Sequence, residues 1–428
     1  MTATSRGPAS LQSPAPEYLR LLMTLLLPAA LFNAYDGELR AVLLTQLKES
    51  FHVGTAAIGV ANIPIGSGQF IAFFVVLLAD RIGRRPILLW SILGYTVFTT
   101  LSAAAWDLWS FAAFQSVAQV FIGAEFGVAV TLLAEEVPAE RRGHYLSLLL
   151  LVSPLGAVLG GLLVAVGFLH NPIGWRAFFL IATVPLLVAS VARRRLRESH
   201  AFEVAKVEPS PPRRSAGRAL IDATFIWQTQ SRARAFAVGW VALLQGLASA
   251  SAIGWWTYYA EHERHISTGT AGALFAVAAL VSAGGYLSCG WMMDRIGRKP
   301  TAAVYIGGAV ACALITFEQS SPLTMAPFLV GTAFFGIGVA PVLSGFASEL
   351  FPTTVRAQAS AWIRNGFGNA GSVIGPAIVG VLGASGGPLH SIGSAVSVLA
   401  LVYLAAIPII WWAIPETKDV RLDVPEPG

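Results

Sequence analysis

Residues 80–86 read Asp-Arg-Ile-Gly-Arg-Arg-Pro, and residues 294–300 repeat them as Asp-Arg-Ile-Gly-Arg-Lys-Pro. The two copies lie between long apolar runs, half of the 428-residue chain apart. A second motif recurs at the same separation: Glu135-x-x-Pro138 with Arg142, and Glu349-x-x-Pro352 with Arg356. Two unlike motifs that share one separation indicate a duplicated unit.

The composition around these motifs indicates lipid rather than water as the solvent. Hydrophobic residues make up 55% of the chain and charged residues 12%, whereas soluble domains carry about 25% charged residues. A helix that crosses a bilayer needs about 20 apolar residues. The chain has twelve such runs, six per half, at residues 19–45, 56–79, 86–105, 109–134, 144–167, 174–192, 235–259, 270–293, 300–318, 323–348, 357–383 and 391–414.

The predicted fold is therefore an all-α integral membrane protein, with twelve transmembrane helices in two pseudo-symmetric six-helix bundles. We expect a disordered tail over residues 1–17 and a first bundle over 18–192. A basic linker follows at 193–234, because this interval is rich in Arg, Lys and Pro. The second bundle takes residues 235–414, and a second tail takes 415–428.

The positions of the basic residues predict the orientation in the membrane. All but five of the 28 Lys and Arg lie in the tails, the linker and the loops near residues 80, 140, 295 and 355. The five exceptions are Lys48, Arg176, Arg264, Arg40 and Arg364. Basic loops stay in the cytoplasm, so we expect both termini there, in the cytoplasmic membrane. The net charge of +5 follows from this topology, and we expect no nucleic-acid partner.

These motifs resemble the major facilitator superfamily of secondary transporters over nearly the whole chain. The loop after the second helix is similar to Gly-x-x-x-Asp-Arg-x-Gly-Arg-Arg/Lys, with Val76 at the first Gly of the first copy and Gly290 in the second. Residues 197–202 (Arg-Glu-Ser-His-Ala-Phe) and 415–418 (Pro-Glu-Thr-Lys) resemble elements of the sugar-porter and metabolite–proton symporter branches. The resemblance implies transport by alternating access.

The repeated charges form a predicted cytoplasmic gate. The resemblance implies that they hold the two halves together when the cavity opens outward, and that they separate when it opens inward. Exposed salt bridges contribute about 0–1 kcal/mol each, which suits states that differ by a few kcal/mol. The alternative is that they only determine turns and topology. The gate residues are Asp80, Arg81, Gly83, Arg84, Glu135, Arg142, Asp294, Arg295, Gly297, Arg298, Glu349 and Arg356.

Two carboxyl groups within predicted spans are candidates for proton coupling, because a charge in hydrocarbon costs about 2.5–3.5 kcal/mol. Glu125 lies near the middle of the fourth span, where related symporters have a similar acidic element. The alternatives to proton coupling are a structural pair with an Arg and a neutral acid packed between helices. Asp36 shares a helix face with Asn33 and Arg40. Asp36 has three possible roles: it carries the coupling proton, it pairs with Arg40, or it lies at a solvated rim. We place Glu38 at that rim as well.

Arg364, in the eleventh span, is the predicted partner of a substrate carboxylate, since guanidinium groups bind carboxylates through two hydrogen bonds. The alternatives are an inner-gate salt bridge and a side chain that reaches the membrane surface. Gln119 stands where sugar porters have an Arg. Further candidates to line the cavity are Asn33, Arg40, Gln119, Gln245, Asn365 and Asn369, with Asn62 and Gln69 as weaker ones.

The predicted function is secondary transport of a small solute. We expect a proton-coupled symporter of a small organic anion such as a carboxylic acid, working as a monomer in the lipid bilayer without cofactor or metal. The chain has no catalytic constellation and no phosphate-binding loop for ATP. Alternatives are a drug or metabolite efflux antiporter, a sugar–proton symporter, and a membrane sensor that does not transport.

Overall fold

The computed structural model describes residues 16–196, 198, 225–229 and 231–418. The first half consists of α1 (Pro16–Val42), α2 (Leu44–Phe51), α3 (Thr55–Ile82), α4 (Arg84–Ala103), α5 (Leu108–Glu136), α6 (Ala139–Ala165) and α7 (Arg176–Ala192). The second half begins with α8 (Arg232–Gly254), α9 (Trp256–His262), α10 (Thr268–Ile296), α11 (Arg298–Glu318), α12 (Pro322–Gly338) and α13 (Ala340–Glu349). It ends with α14 (Thr353–Ala361), a π-helical segment (Trp362–Gly368), α15 (Asn369–Leu382), α16 (Ile392–Tyr403) and α17 (Ala406–Ala413).

These helices give the twelve predicted spans. Ten of the described helices are long and apolar enough to cross a membrane, if α12 with α13 and α16 with α17 are each counted as one. The other two spans are α7, with 17 residues, and the composite of α14, the π-helical segment and α15. The prediction of an all-helical, twelve-span membrane protein is therefore confirmed.

The two glycines of the repeated motif separate consecutive helices. Gly83 lies between α3 and α4 with a φ angle of +111°, and Gly297 lies between α10 and α11 with a φ angle of +94°. This region of backbone space is open to glycine and strained for other residues. We call the membrane face with these two glycines the motif face and the opposite one the far face.

The two halves meet through small residues. A Cβ atom added to Gly59 on α3 would lie 3.0 Å from the Cα atom of Gly380 on α15. A Cβ atom added to Gly161 on α6 would lie 2.7 Å from the carbonyl oxygen of Gly272 on α10. Inside a membrane, the hydrophobic effect does not drive helices together. Close packing between small residues stabilises the contact instead.

The halves are closed against each other at the far face. Thr257 on α9 donates a hydrogen bond to the carbonyl of Ala41 on α1. The ammonium group of Lys48 on α2 lies 5.3 Å from the centre of the Tyr258 ring. Because a buried apolar cluster also extends through both halves in this region, the far face forms a seal between the bundles.

Packing extends past the predicted domain boundaries. Arg193 and Leu196, which follow the predicted end of the first bundle, are buried against it. Ile226, within the predicted linker, is buried in the core of the second bundle. Residues 199–224 lie outside the described part of the chain. The C-terminal segment also packs, since Thr417 is buried.

Candidate functional site

A cavity of about 530 Å³ lies between the two halves, within the usual range of about 300–1,000 Å³ for small-molecule sites. Helices α1, α3, α5 and α6 of the first half line it, with α8, α10, α12 and α15 of the second. Its aromatic lining consists of Phe111, Trp255, Phe275 and Tyr286. The cavity can therefore hold a small molecule with an apolar ring.

Arg40 brings a positive charge into this cavity. It lies near the end of α1 and lines the cavity. Its Nη1 atom donates a hydrogen bond to Oδ1 of Asn62, at 3.1 Å. Its Nε atom is buried without a hydrogen-bond partner in the described residues. An unpaired donor on a buried cation favours an incoming acceptor.

Gln119 holds a second unpaired donor in the cavity wall. Gln69 donates a hydrogen bond from its Nε2 atom to Oε1 of Gln119, at 3.0 Å, which fixes the amide orientation of Gln119. Its own Nε2 atom is buried without a partner in the described part of the chain. Gln119 and Gln69 both line the cavity. Asn369 also lines it, and its Nδ2 atom lies 3.5 Å from the carbonyl oxygen of Gly66.

Asp36 lies behind the cavity wall rather than at a solvated rim. It is fully buried, and Thr99 on α4 donates a hydrogen bond to its Oδ2 atom, at 3.4 Å. Arg40 is one helical turn away on α1. The structure therefore places a buried carboxyl group directly behind the cation of the cavity.

Glu125 forms a buried ion pair. Its Oε1 atom lies 2.5 Å from Nη2 of Arg193, and the two side chains are 2% and 0% exposed. Asn33 donates a hydrogen bond to its other oxygen, at 2.5 Å, and Arg193 also donates to the carbonyl of Leu25. Glu125 and Asn33 are absent from the residues that line the cavity. The geometry is that of the structural pair, and Asn33 binds Glu125 rather than lining the cavity.

The other predicted polar residues occupy different places. Arg364 and Asn365 are exposed in the π-helical segment and do not line the cavity. Gln245 donates a hydrogen bond to the carbonyl of Gly336 on α12, at 2.9 Å, so it joins two helices. A π-helical turn inside an α-helical span often accompanies a functional position.

Among the described residues, an arginine and a glutamate of the gate motifs form an ion pair in each half. Arg84 binds Glu135 through two hydrogen bonds of 3.1 and 2.7 Å. Arg298 binds Glu349 in the same way, at 3.0 and 2.8 Å. Each pair lies within one bundle rather than between the bundles. Among the other gate residues, Arg295 lies over the ring of Trp291, and Arg356 donates a hydrogen bond to the carbonyl of Phe351. Asp294 is exposed and lies within electrostatic range of Arg298. The side chains of Asp80, Arg81 and Arg142 lie outside the described part of the chain.

Two glutamates cap the helices that follow the motif glycines. Glu198 accepts hydrogen bonds from the backbone N–H groups of Arg84 and Arg85, at 2.7 and 3.3 Å. Glu416 accepts them from Arg298 and Lys299, at 2.8 and 2.9 Å. A carboxylate suits a helix N-terminus because the backbone N–H groups there lack partners. Partial burial acts to raise the pKa of Glu416, but these backbone hydrogen bonds outweigh it and lower the pKa.

Sequence reasoning missed several functional contacts. Glu38 lines the cavity, although its position on α1 predicted a rim. Arg193 is the partner of Glu125, and the only sequence signal was a run of three Arg directly after a span. The capping roles of Glu198 and Glu416 could have been found from their place in two similar segments.

Comparison with known proteins agrees with this architecture. A family model described as Major Facilitator Superfamily matches residues 26–363 and 238–426. The chain is 27% identical to a probable 4-methylmuconolactone transporter of Cupriavidus pinatubonensis, over 91% of this chain and 89% of the relative. It is 25% identical to a niacin transporter of Acinetobacter baylyi, over 89% and 91%.

The fold has a solved counterpart in the crystal structure of a D-xylose-proton symporter. The two superpose with a TM-score of 0.74 at 15% identity, over 94% of this chain and 99% of the other. With two six-helix halves around a central cavity and a family model that covers nearly its whole length, this chain belongs to the major facilitator superfamily and is a membrane transporter rather than an enzyme.

Proposed function

We propose that this protein is a proton-coupled importer of small organic anions that carry a carboxylate on an unsaturated or aromatic ring. The observation that carries the proposal is the half-buried Arg40 of an aromatic-lined cavity, whose buried Nε atom has no partner in the described residues. The relatives named for niacin and 4-methylmuconolactone support this class of substrate, since both compounds are small unsaturated rings with a carboxyl group.

The polar groups of the cavity suit one carboxylate. One oxygen would accept from Nε of Arg40, and Gln119 would supply a neutral donor from its Nε2 atom. Hydrogen bonds between a cation and a carboxylate are about twice as strong as neutral ones. The aromatic side chains Phe111 and Phe275 would contact the ring of the substrate.

Asp36 is the proposed proton site of the import cycle. It is buried one turn from Arg40, so protonation there changes the charge next to the substrate cation. Arg193 already neutralises Glu125, and we assign Glu125 a structural role. Coupling through Glu125 would require this pair to open.

The remaining proposals concern orientation and gating. We place the motif face in the cytoplasm of a monomer in the cytoplasmic membrane, because basic residues concentrate on that face. The far-face seal then makes this structure the inward-facing state. The Arg84–Glu135 and Arg298–Glu349 pairs would position the two motif loops, which meet when the cavity opens outward.

The test is the external pH of de-energised cells that express the protein. We expect alkalinisation after addition of nicotinate or an unsaturated carboxylic acid, and no response to sugars or amino acids. Arg40→Gln should raise the concentration of acid that gives half of the response about tenfold to hundredfold, since a hydrogen bond to a charged group contributes about 1.5–3 kcal/mol. Arg40→Lys should retain part of the affinity.

Two variants provide controls. Arg20→Gln removes an exposed Arg at the motif-face end of the same helix and should behave as wild type. Arg364→Gln tests the site that the sequence favoured. If Arg364→Gln loses the pH response and Arg40→Gln keeps it, the anion site lies in the π-helical segment rather than at Arg40. Absence of any pH response, together with drug retention that falls on expression, would favour efflux instead.

A further inference from the structure

A neutral side chain from the neighbouring helix holds the guanidinium group of Arg40. Nη1 of Arg40 on α1 donates a hydrogen bond to Oδ1 of Asn62 on α3, at 3.1 Å. Asn62 in turn donates from Nδ2 to the carbonyl of Ile58, at 3.3 Å, and this bond turns its oxygen atom toward the arginine. Both Arg40 and Asn62 line the cavity. Asn62 is therefore a fixed acceptor at one end of the guanidinium group.

The Nε–Nη2 edge of the same guanidinium group is free among the described residues. Nε of Arg40 is buried there without a hydrogen-bond partner, and Nη2 makes no hydrogen bond either. The N–H bonds of Nε and Nη2 are nearly parallel, and their spacing matches that of the two oxygen atoms of a carboxylate. Arg40 therefore carries a free pair of parallel donors beside the cavity.

Two other arginines of this protein show how such an edge is used. In Arg84, Nε and Nη2 donate to the two carboxylate oxygens of Glu135, at 3.1 and 2.7 Å, while Nη1 donates to the carbonyl of Ala79, at 3.3 Å. Arg298 repeats this arrangement with a glutamate and a backbone carbonyl. In both, a neutral oxygen holds Nη1 and a carboxylate binds the other edge. Arg40 has the neutral oxygen, and the carboxylate is the part that a ligand can supply.

The neutrality of Asn62 matters for an anionic ligand. Asp36 and Glu38 stand on the same helix as Arg40, but Arg40 forms no ion pair within the described residues. An aspartate in place of Asn62 would have the same size, and its charge would pair with the guanidinium group. It would then compete with an incoming carboxylate, whereas the asparagine orients the arginine and leaves its charge for the ligand.

We propose that Asn62 is a positioning residue, which orients Arg40 so that its Nε–Nη2 edge binds the substrate carboxylate through two hydrogen bonds. The inference rests on the proposed function and adds the geometry of anion binding. One carboxylate oxygen accepts from Nε, and the other accepts from Nη2. The site therefore selects a group with two coplanar acceptor oxygens and a negative charge.

The test is anion binding by the purified full-length protein in lipid nanodiscs. The probe is nicotinate, or the carboxylic acid that gives the largest pH response in cells. Asn62→Asp should raise the Kd at least about tenfold, because the new carboxylate occupies the charge of Arg40. Asn62→Leu removes the acceptor without adding a charge and should raise the Kd less, by about twofold to tenfold. Asn365→Asp, at an exposed asparagine outside the cavity, is the matched control and should behave as wild type.

A double-mutant cycle separates the orientation of Arg40 from packing around Asn62. Arg40→Lys keeps the charge but has no parallel donors, so it should raise the Kd about tenfold when Asn62 is present. In the Asn62→Leu background, the same change should cost at most about threefold, because the orientation of the edge is already lost. The cycle does not need Asn62→Asp and decides the question if that variant fails to fold.

The outcomes separate this inference from the proposed function. If both Asn62 variants bind the anion as wild type does, while Arg40→Gln loses affinity, the inference is wrong and the anion site at Arg40 stands. Equal losses in Asn62→Asp and Asn62→Leu would contradict the role of neutrality. Additive effects of Arg40→Lys and Asn62→Leu would contradict positioning, since Asn62 would then act independently of the guanidinium group. If Arg40→Gln binds the anion as tightly as wild type, both the inference and the proposed site are wrong.

Discussion

At the scale of single residues, the surroundings of a cation within a span distinguish a structural role from a binding role. Arg193 is fully buried, pairs with Glu125 and donates to the carbonyl of Leu25, although its Nη1 atom has no partner in the described residues. This pair does not line the cavity. Arg40 lines the cavity, and its buried Nε atom has no partner in the described residues. The first arrangement stabilises a fold, and the second favours a ligand. Charge within a span is therefore a weaker signal of function than charge that lines the cavity.

The Glu125–Arg193 pair gives a prediction about stability. Glu125→Gln should lower the free energy of unfolding by about 3–5 kcal/mol, because it leaves a buried guanidinium without its counter-ion. Replacing both partners, as in Glu125→Leu with Arg193→Met, should recover most of this loss. Thermal unfolding in nanodiscs measures the change.

The same variants separate structure from coupling. If the double variant is stable and still alkalinises the medium with the substrate, Glu125 has a structural role. If the double variant is stable and exchanges substrate but moves no protons, Glu125 carries the coupling proton instead.

At the scale of elements, the helices on either side of each motif glycine depend on distant carboxylates. Glu416 follows the last helix, yet it caps α11, which begins 118 residues earlier in the chain. Lys418 adds a hydrogen bond to the carbonyl of Arg295, at 2.9 Å. The described residues after α17, up to Lys418, are therefore a structural part of the loop around Gly297.

The lowered pKa of Glu416 predicts how this contact depends on pH. A carboxyl group with a depressed pKa stabilises the folded state above the ordinary glutamate pKa of about 4.3. This stabilisation is lost as the pH falls through the folded-state value. Glu416→Gln should cost about 0.5–1 kcal/mol at neutral pH, the lower part of the range for a cap, because Glu416 is exposed.

The measurement is the melting temperature of wild type and Glu416→Gln between about pH 7 and pH 3.5. The difference should shrink as the pH falls, while Glu318→Gln should match wild type throughout. A difference that stays constant with pH would show that the ionised carboxylate is not what caps α11.

At the scale of the whole molecule, the glycine contacts between the halves favour the state described here. A Cβ atom on Gly380 would lie 2.7 Å from the carbonyl oxygen of Thr55 and 2.9 Å from the Cα atom of Gly59. Backbone atoms cannot move aside as flexible side chains can. Larger residues at this contact must therefore separate α3 from α15 at the far face.

Gly380→Val should shift the population toward the state that opens at the far face. A penalty of about 1–3 kcal/mol for overpacking changes the ratio of two states by roughly tenfold to hundredfold. Distances between spin labels on α2 and α9, in a variant without Cys289 and Cys312, would report the opening. Gly307→Val has open space for its side chain and should leave the distances unchanged.

The amino-acid sequence by itself determined the duplication, the twelve spans and the class of transporter. The first two follow from repetition at a constant separation and from local composition, and the third follows from the resemblance of the motifs to a known family. None of the three requires contacts between helices. The sequence also predicted that one helix carries four polar residues: Asn33, Asp36, Glu38 and Arg40. Their relative angles follow from the 3.6-residue period.

Only the tertiary structure decided which of these four side chains reach the cavity. Apolar residues surround α1 on most sides, so no amphipathic stripe sets its rotation. Its neighbours set that rotation: a Cβ atom on Gly156 of α6 would lie 2.5 Å from the backbone nitrogen of Tyr35. This close packing turns the face with Asn33 and Asp36 into the first bundle, because the rotation of a helix in lipid is a property of its contacts. The side chains of Glu38 and Arg40, one turn further along, reach the cavity.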